Sequence, residues 1–303
     1  GTRTLTGSIS NVRVFNGSAT GTSWIIGFPF GRGVFAGGST GSYTNVIDYI
    51  TINTLGNATD FGDLTQARVV NSGVSNGTRG VFCGGNNGSG VNTMDYITIL
   101  TTGNATDFGD RTVSGYANAG VNSDTRGVTA GLYPQSNVID YITIATAGNA
   151  TDFGDLSGTR QNIGGVDNYI RGVFCGGYAV TEIMEYITIA TTGNTTDFGD
   201  LTVSRYAVGS CSNDTRGIIA GGITLTNGMD YITIATTGNA ADFGDLSSNR
   251  SALNGCNTET RGVFGGGSSS NIMEYITIST TGNATDFGDL TVAREQLAST
   301  EDR

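Results

Sequence analysis

The sequence predicts an all-β fold, a six-bladed β-propeller with four antiparallel strands in each blade. The first observation is a tetrapeptide, DFGD, that occurs six times at intervals of 44 to 47 residues. The second is that each interval holds four β-prone segments, which is the content of a propeller blade at this repeat length. The third is that the C-terminus supplies the segment that the first interval lacks. The six copies begin at Asp60, Asp107, Asp152, Asp197, Asp242 and Asp286.

Each repeat opens with two apolar segments that favour strands. The pattern R-G-V-F-x-G-G, first found at residues 32–38, is a short apolar run that ends in glycines, as a buried strand does. The pattern [DE]YITI, first found at residues 48–52, is rich in β-branched residues. Strand alternation places Ile50 and Ile52 on one face and Tyr49 on the other, so both faces can be packed.

The second half of each repeat begins with the turn TTGNATD, whose glycine and asparagine tolerate positive φ. The segment FGDLTxxR follows, with one large phenylalanine per repeat and an arginine such as Arg68 after it. The second repeat departs from this pattern, because Arg111 comes early and Gly115 stands in the arginine position. A last segment of small residues leads into the next repeat, and we expect it where strands converge on a crowded axis.

The two chain ends predict how the array closes. After the last repeat the chain runs EQLASTEDR, which resembles the small-residue segment but has no repeat after it. We therefore predict that residues 295–301 complete the first blade and close the ring, which removes open sheet edges. Residues 32–303 then form the propeller. Residues 1–31 lie outside the repeat and predict either an arm for attachment or a capping strand.

The ordered recurrence of arginine, glycine pair, aromatic residue and second arginine across residues 32–303 resembles the kelch repeat, with phenylalanine where kelch motifs usually carry tryptophan. This resemblance implies a propeller of four-stranded blades that acts through its loops. Arrays rich in threonine, asparagine and glycine are also similar to those of structural and tail-associated proteins of marine bacteriophages. That second resemblance implies a virion component.

Charge and composition argue against several classes of function. The chain carries 26 acidic residues and 15 arginines, with no lysine and no histidine, for a net charge of −11. This excess of negative charge repels nucleic acid. No apolar run predicts membrane insertion, and the N-terminus lacks the pattern of a signal peptide. Without histidine the commonest general base and metal ligand are missing, so we expect no enzyme activity, no cofactor and no metal site.

The four cysteines follow the repeat. Cys83 and Cys175 share one repeat position in non-adjacent units, which puts them too far apart to form a disulfide. Cys211 and Cys256 share another position in neighbouring units, where a bridge is possible but not implied. We expect free, buried thiols, which suits folding in a reducing cytoplasm.

The repeated acids allow a metal-binding and a structural interpretation. Asn57, Asp60 and Asp63 and their equivalents offer oxygen atoms at three-residue intervals, but calcium needs six to eight oxygen ligands. We instead expect the aspartates to cap turns or to pair with the repeated arginines. The sequon at Asn57 and its equivalents fits a repeated tight turn, and Asn239 in the fifth repeat lacks the sequon threonine.

The connections between the first two segments of each repeat differ most from one repeat to the next. Variable loops on a constant scaffold are typical of recognition, although unconstrained drift gives the same pattern. Tyr43, Tyr133 and Tyr178 are the aromatic residues of these connections, and they are our candidate ligand-binding residues. Their rings can stack on a sugar or on a protein surface.

These observations predict a non-enzymatic virion structural or appendage protein, such as a tail-fibre component, that is assembled in the host cytoplasm. Its partners would be other virion proteins, bound through residues 1–31, and a glycan or protein of the host surface. The alternative is a carbohydrate-binding lectin or adhesin. A glycosidase would need two non-repeated acids close together, and Glu182 is one of few acids outside the repeat pattern.

Overall fold

The computed structural model describes residues 31–69, 72–134, 136–178, 182–223 and 227–302, and it is a ring of six four-stranded antiparallel sheets. The predicted arm therefore lies outside the described residues, apart from Gly31. Within the described ranges no helix is long and apolar enough to cross a membrane.

The strands, in chain order, are β1 (Arg32–Ala36), β2 (Val46–Thr51), β3 (Thr59–Asp63), β4 (Gly73–Ser75), β5 (Arg79–Asn86), β6 (Gly90–Thr98), β7 (Thr106–Asp110), β8 (Ala119–Asn122), β9 (Arg126–Leu132), β10 (Ser136–Thr143), β11 (Thr151–Arg160), β12 (Gly164–Asp167), β13 (Arg171–Cys175), β14 (Ile183–Thr188), β15 (Thr196–Asp200), β16 (Gly209–Ser212), β17 (Arg216–Ala220), β18 (Gly228–Thr233), β19 (Ala241–Asp245), β20 (Asn254–Asn257), β21 (Arg261–Gly265), β22 (Ile272–Thr277), β23 (Thr285–Asp289) and β24 (Ala298–Glu301).

The ring closes as predicted, because the last strand joins the first sheet. Five blades take their four strands consecutively along the chain, whereas the sixth has the order β24-β1-β2-β3. In that blade β24 runs antiparallel to β1, with Ala298 opposite Ala36 and Glu301 opposite Gly33. The propeller is thus held shut by hydrogen bonds between its two ends.

The apolar core lies between neighbouring sheets. In one of the six clusters, Val34, Ile47 and Phe61 of the first blade pack with Phe82 and Ile97 of the next blade, and all are buried. Phe61 and its equivalents are the anchors that the sequence predicted. Burial of such side chains stabilises the fold by about 1.5–3 kcal/mol each. Each blade therefore depends on its neighbours for its core.

The small-residue segments form the innermost strands, and the axis is as crowded as the sequence predicted. A Cβ atom added to Gly73 would lie 2.1 Å from the carbonyl oxygen of Ser299 in the neighbouring inner strand. A Cβ on Gly165 would lie 2.5 Å from the carbonyl oxygen of Gly120. Glycine at these positions lets adjacent inner strands approach closely enough to fill the centre.

In each inter-blade connection, a buried arginine forms an ion pair with a carboxylate of the blade that the connection enters. We call these residues the pinning arginines. Arg68, on the connection from β3 to β4, lies 2.7 Å from the Asp95 carboxylate of β6, and both side chains are fully buried. The last arginine of this kind, Arg294, lies 2.9 Å from Asp48 and so fixes the closing segment to the first blade. Burial raises the pKa of the Asp48 carboxyl, and Arg294 opposes that shift. The six pairs are Arg68–Asp95, Arg111–Asp140, Arg160–Glu185, Arg205–Asp230, Arg250–Glu274 and Arg294–Asp48.

A second set of arginines links neighbouring blades through tyrosines. The Arg32 guanidinium lies 4.3 Å above the Tyr49 ring, and its Nη1 donates a hydrogen bond of 3.1 Å to the Ile99 carbonyl of the next blade. The Tyr49 ring in turn meets Phe61 edge-on at 6.1 Å. This arrangement recurs in all six blades. Every arginine of the described residues thus serves the scaffold, which confirms the structural interpretation of the repeated arginines.

The asparagine turns cover the outer strands. Asn57 Oδ1 accepts a hydrogen bond of 3.1 Å from the Asp289 backbone N–H of the neighbouring blade, and the Ala58 N–H donates to the Asp289 carbonyl at 2.7 Å. Asn239, which has no sequon threonine, makes the same contact with the Asp200 N–H at 3.1 Å. The asparagine side chain is therefore a structural part of the turn, as the sequence predicted. The acids that pair with arginine belong to [DE]YITI rather than to DFGD.

All four cysteines are buried and none forms a disulfide, which confirms the predicted free thiols. Burial raises the pKa of the Cys83 and Cys175 thiols to about 12. These thiols stay protonated at neutral pH, so they behave as small apolar side chains.

Candidate functional site

The candidate site lies on one end of the ring, which we call the loop face. It is formed by the connections between the second and third strands of each blade and by the connections that enter the inner strands. Both kinds of connection meet there because β24 begins at Ala298, opposite Ala36 at the end of β1. All three tyrosines predicted as ligand-binding residues lie in these connections.

A backbone bridge recurs on the loop face in every blade. It joins the residue that follows the glycine pair to the residue that follows the pinning arginine of the inter-blade connection. In the third blade, where Gly115 stands in the position of that arginine, the bridge joins Tyr133 to Tyr116. Tyr178 likewise donates its N–H to the Gln161 carbonyl at 2.9 Å. The six bridged positions are Ser39 with Glu295, Asn86 with Val69, Tyr133 with Tyr116, Tyr178 with Gln161, Ile223 with Tyr206, and Ser268 with Ser251.

The aromatic residues at these bridges gather in three neighbouring blades. Tyr133 packs on Tyr116 with ring centroids 4.9 Å apart, and Tyr178 meets Tyr206 of the next blade edge-on at 5.3 Å. Tyr43 extends the group from the first blade, because its hydroxyl donates a 3.3 Å hydrogen bond to Asn86 Oδ1. We call these five tyrosines, 43, 116, 133, 178 and 206, the aromatic crescent.

The crescent exposes part of each predicted ring. Tyr43, Tyr133 and Tyr178 expose 43%, 46% and 46% of their surface. Tyr116 and Tyr206 are half-buried beneath their partners, and burial raises the pKa of the Tyr116 hydroxyl, which lies beside Tyr133. Sequence reasoning missed these two residues, although each directly follows the pinning-arginine position. The exposed rings are thus supported by a second tier of aromatic side chains.

A series of backbone hydrogen bonds between neighbouring blades lies next to the crescent. Ala117, Asn162, Ala207 and Ala252 all have φ between 55° and 66°. The Asn162 N–H donates to the Ala117 carbonyl at 2.6 Å, Ala207 to Asn162 at 2.9 Å, and Ala252 to Ala207 at 2.7 Å. A left-handed alanine costs about 1–2 kcal/mol, and these inter-blade bonds offset that cost. The platform beneath the crescent is therefore fixed before any ligand arrives.

The connections of the loop face contain few charged residues. They consist largely of serine, threonine, asparagine and glycine, and their only acids are Glu182 and Glu295. The pinning arginines of these connections are buried in ion pairs. The last aspartate of each DFGD sequence, such as Asp63 or Asp110, ends an outer strand where it enters such a connection, so carboxylates border the loop face at its outer rim.

Glu182, the non-repeated acid, is exposed, and one of its carboxylate oxygens accepts a 3.4 Å hydrogen bond from the Ser204 hydroxyl. Within the described parts of the chain, no group of three or more Cys, Asp and Glu side chains is placed to hold a metal ion. The chain matches no family model, and no curated protein matches it. The function must therefore be argued from the loop face itself.

Proposed function

We propose that this propeller is a non-enzymatic binding module on a virion appendage, and that it binds a partner on the host surface through the aromatic crescent. The crescent is the observation that carries the proposal. Three exposed tyrosines stand beside inter-blade backbone hydrogen bonds, whereas the equivalent bridges of the other blades hold mainly small or polar residues.

The composition of the loop face supports recognition. Binding loops of antibodies are enriched in tyrosine, serine, glycine and asparagine, because tyrosine offers a large contact area at a low entropic cost. The same residues dominate these connections. The inter-blade hydrogen bonds of Asn162, Ala207 and Ala252 limit the ordering cost on binding, which improves affinity.

The position at which the first described strand begins supports an appendage. Strand β1 begins at Arg32 on the face opposite the loop face, since its other end, Ala36, lies at the loop face. A propeller attached to other virion proteins through residues 1–31 would therefore present its crescent away from the particle. The virion setting of this proposal rests on the resemblance of the threonine-, asparagine- and glycine-rich repeats to phage tail-associated arrays.

A carbohydrate-binding function is the second candidate. The half-exposed rings of Tyr133 and Tyr178 favour it, because aromatic faces stack on the apolar faces of sugars. The carboxylate of Glu182, in the same connection as Tyr178, can accept hydrogen bonds from sugar hydroxyls.

Binding of labelled propeller to host cells tests the main proposal. We expect the combined variant Tyr43→Ala, Tyr133→Ala and Tyr178→Ala to bind at least about tenfold more weakly, since a few aromatic anchors dominate most interfaces. The matched control is Ser39→Ala with Ser268→Ala at equivalent positions on the same face. Equal binding by the tyrosine variant and the control would refute a role for the crescent.

Two further measurements separate the alternatives. Loss of binding after enzymatic removal of cell-surface glycans, together with hits on a glycan array, would favour the lectin. Electron microscopy of particles made without this protein tests the virion setting, where we expect a missing appendage and lower infectivity. Particles of unchanged composition and infectivity would contradict that setting.

A further inference from the structure

An exposed carboxylate lies beside one aromatic pair of the crescent. Glu182 belongs to the same connection as Tyr178, and one of its carboxylate oxygens accepts a 3.4 Å hydrogen bond from the Ser204 hydroxyl. Ser204 comes two residues before Tyr206, whose ring meets that of Tyr178 edge-on at 5.3 Å. Because the Glu182 side chain is exposed, a partner that covers these two rings also meets its negative charge.

Two further exposed acids border the crescent at the outer rim of the loop face. Asp110 ends β7, and the connection that follows it carries Tyr116. Asp200 ends β15, and the connection that follows it carries Tyr206. Both aspartates are exposed. Their backbone N–H groups donate to the turn asparagines of the neighbouring blades at 3.0 and 3.1 Å, which fixes the backbone at both positions.

No exposed cation of the loop-face connections balances these acids. The chain has no lysine and no histidine, and the only basic residues of those connections are the pinning arginines. Each pinning arginine is held in an ion pair and exposes no more than 2% of its side chain. The other described arginines, such as Arg32 and Arg79, begin their strands at the opposite end of the ring. The crescent therefore lies in a negative potential, which attracts cations and repels anions.

The scaffold itself shows how a cationic side chain fits a tyrosine of this protein. In every blade a guanidinium carbon lies between 4.2 and 4.4 Å from the centroid of a tyrosine ring. At this distance the negative face of the ring attracts the cation. The rings of Tyr133 and Tyr178 are nearly half exposed, so side chains of a partner can reach them in the same way.

We propose that the partner of the crescent is a basic protein segment, whose arginine or lysine side chains stack on the tyrosines and pair with the bordering carboxylates. This inference rests on the proposed function, because it names the chemistry of the partner that the crescent binds. Arginine suits the site best, since its planar guanidinium stacks on aromatic rings and also donates hydrogen bonds to carboxylates. The same charges disfavour anionic partners and speed the approach of a cationic one.

Binding of the labelled propeller to host cells at several salt concentrations tests this inference. We expect the affinity to fall by about tenfold between about 50 and 500 mM sodium chloride, because salt screens exposed charges. A synthetic peptide of alternating arginine and glycine should compete with the cells, whereas the same peptide with glutamate in place of arginine should not. Binding that resists salt and is inhibited by neither peptide would overturn the inference and indicate an uncharged partner, such as a neutral glycan.

A charge variant locates the effect at the crescent. Glu182→Gln with Asp110→Asn and Asp200→Asn makes three exposed acids neutral while their shape is kept. In protein made without glycosylation, we expect this acid variant to bind host cells at least about tenfold more weakly, mainly through slower association, and to lose most of the salt dependence. An acid variant that binds as the wild type does would contradict the inference. Circular dichroism spectra will verify that it is folded.

The matched control is Asp107→Asn with Asp152→Asn and Asp197→Asn. It removes the same charge from exposed positions near the start of three outer strands, away from the loop face. We expect it to bind within about twofold of the wild type, because exposed charges about 10 Å or more from a partner are largely screened at physiological salt. An equal loss in the control and the acid variant would show a general effect of net charge and would also overturn the inference.

The variant that lacks the three exposed tyrosines separates failure of this inference from failure of the proposed function. If it loses binding while the acid variant keeps it, the crescent is the binding site and only the charge of the partner is wrong. If the tyrosine variant binds as the wild type does, the crescent is not the binding site and both proposals are wrong.

Discussion

The guanidinium of Arg111 lies 3.1 Å from the Asp140 carboxylate, although Arg111 comes four residues earlier in its repeat than the equivalent arginine elsewhere. Three coupled replacements allow this. Arg111 stands where other repeats have a buried leucine, Gly115 stands in the arginine position, and Leu132 replaces the second glycine of the pair. A Cβ on Gly115 would lie 2.3 Å from Leu132 Cδ1, so the leucine fills the space that the usual arginine takes.

This relationship predicts how the second blade responds to mutation. Arg111→Leu leaves Asp140 buried without its partner, and we expect a loss of about 3–5 kcal/mol in the free energy of unfolding. Adding Gly115→Arg and Leu132→Gly recreates the pattern of the other blades, so the triple variant should regain most of that loss. Urea denaturation measures both. A triple variant no more stable than Arg111→Leu would contradict the proposed exchange of positions.

The contact of Asp302 with the start of β1, where the ring closes, predicts that the stability of the fold depends on pH. Asp302 Oδ1 accepts hydrogen bonds from the backbone N–H groups of Gly31 and Arg32, at 2.7 and 2.5 Å. Burial raises the pKa of the Asp302 carboxyl to about 6. The folded chain therefore holds this proton more tightly than the unfolded chain, so the stability that Asp302 contributes is full below about pH 4 and declines as the pH rises through 6.

Asp302→Asn keeps the acceptor but removes the titration. We expect the stability difference between wild type and this variant to shift in favour of the variant between pH 4 and pH 7, as measured by urea midpoints. Asp302→Ala, which loses the acceptor, should be less stable than Asp302→Asn throughout. A difference between wild type and Asp302→Asn that stays constant with pH would count against a raised pKa.

The asparagine turns predict a purely structural effect. Replacing Asn149, which lies in a sequon, or Asn239, which does not, removes the same 3.0 to 3.1 Å inter-blade hydrogen bond. In protein made without glycosylation, we expect each alanine variant to lose about 0.5–1.5 kcal/mol. Thr237→Ala in the same exposed turn is the control and should be neutral. A cost confined to the sequon position would argue against the role of the turn.

The crowded axis predicts a sharp difference between two glycines. Gly73→Ala places a methyl group against the Ser299 carbonyl oxygen of the neighbouring inner strand, β24. We expect the free energy of unfolding to fall by about 1–3 kcal/mol from overpacking. Gly148→Ala adds a methyl group that meets nothing within 4 Å, so it should leave stability almost unchanged. Thermal unfolding of the two variants gives the comparison. Equal midpoints would show that the inner strands are looser than their spacing indicates.

Most of the fold could be predicted from the repeat, because the strand segments, the turn and the buried phenylalanine each occur six times in the sequence. The sequence also placed the closing strand, since a segment missing at one end was present at the other. It did not identify Asp48 and its equivalents as arginine partners, although strand alternation puts Asp48 on the same face as the buried Ile50. For Arg68, the acid nearer in sequence is Asp63, whereas the acid nearer in space is Asp95 of the next blade.

The candidate site was only partly predictable, for a different reason. Tyr43, Tyr133 and Tyr178 could be predicted because they are the aromatic residues of the variable loops. Tyr116 and Tyr206 lie in the connections that enter the inner strands, and only the folded ring places them against Tyr133 and Tyr178.

The seam between β1 and β24 also determines how the molecule carries mechanical load. A force that pulls on Gly31 while the loop face is held in place acts parallel to β1 rather than perpendicular to it. Four residue pairs with β24 on one side and five with β2 on the other then bear the force together. We expect a propeller pulled in this direction to unfold at a higher force than one pulled perpendicular to its strands from the C-terminal residues.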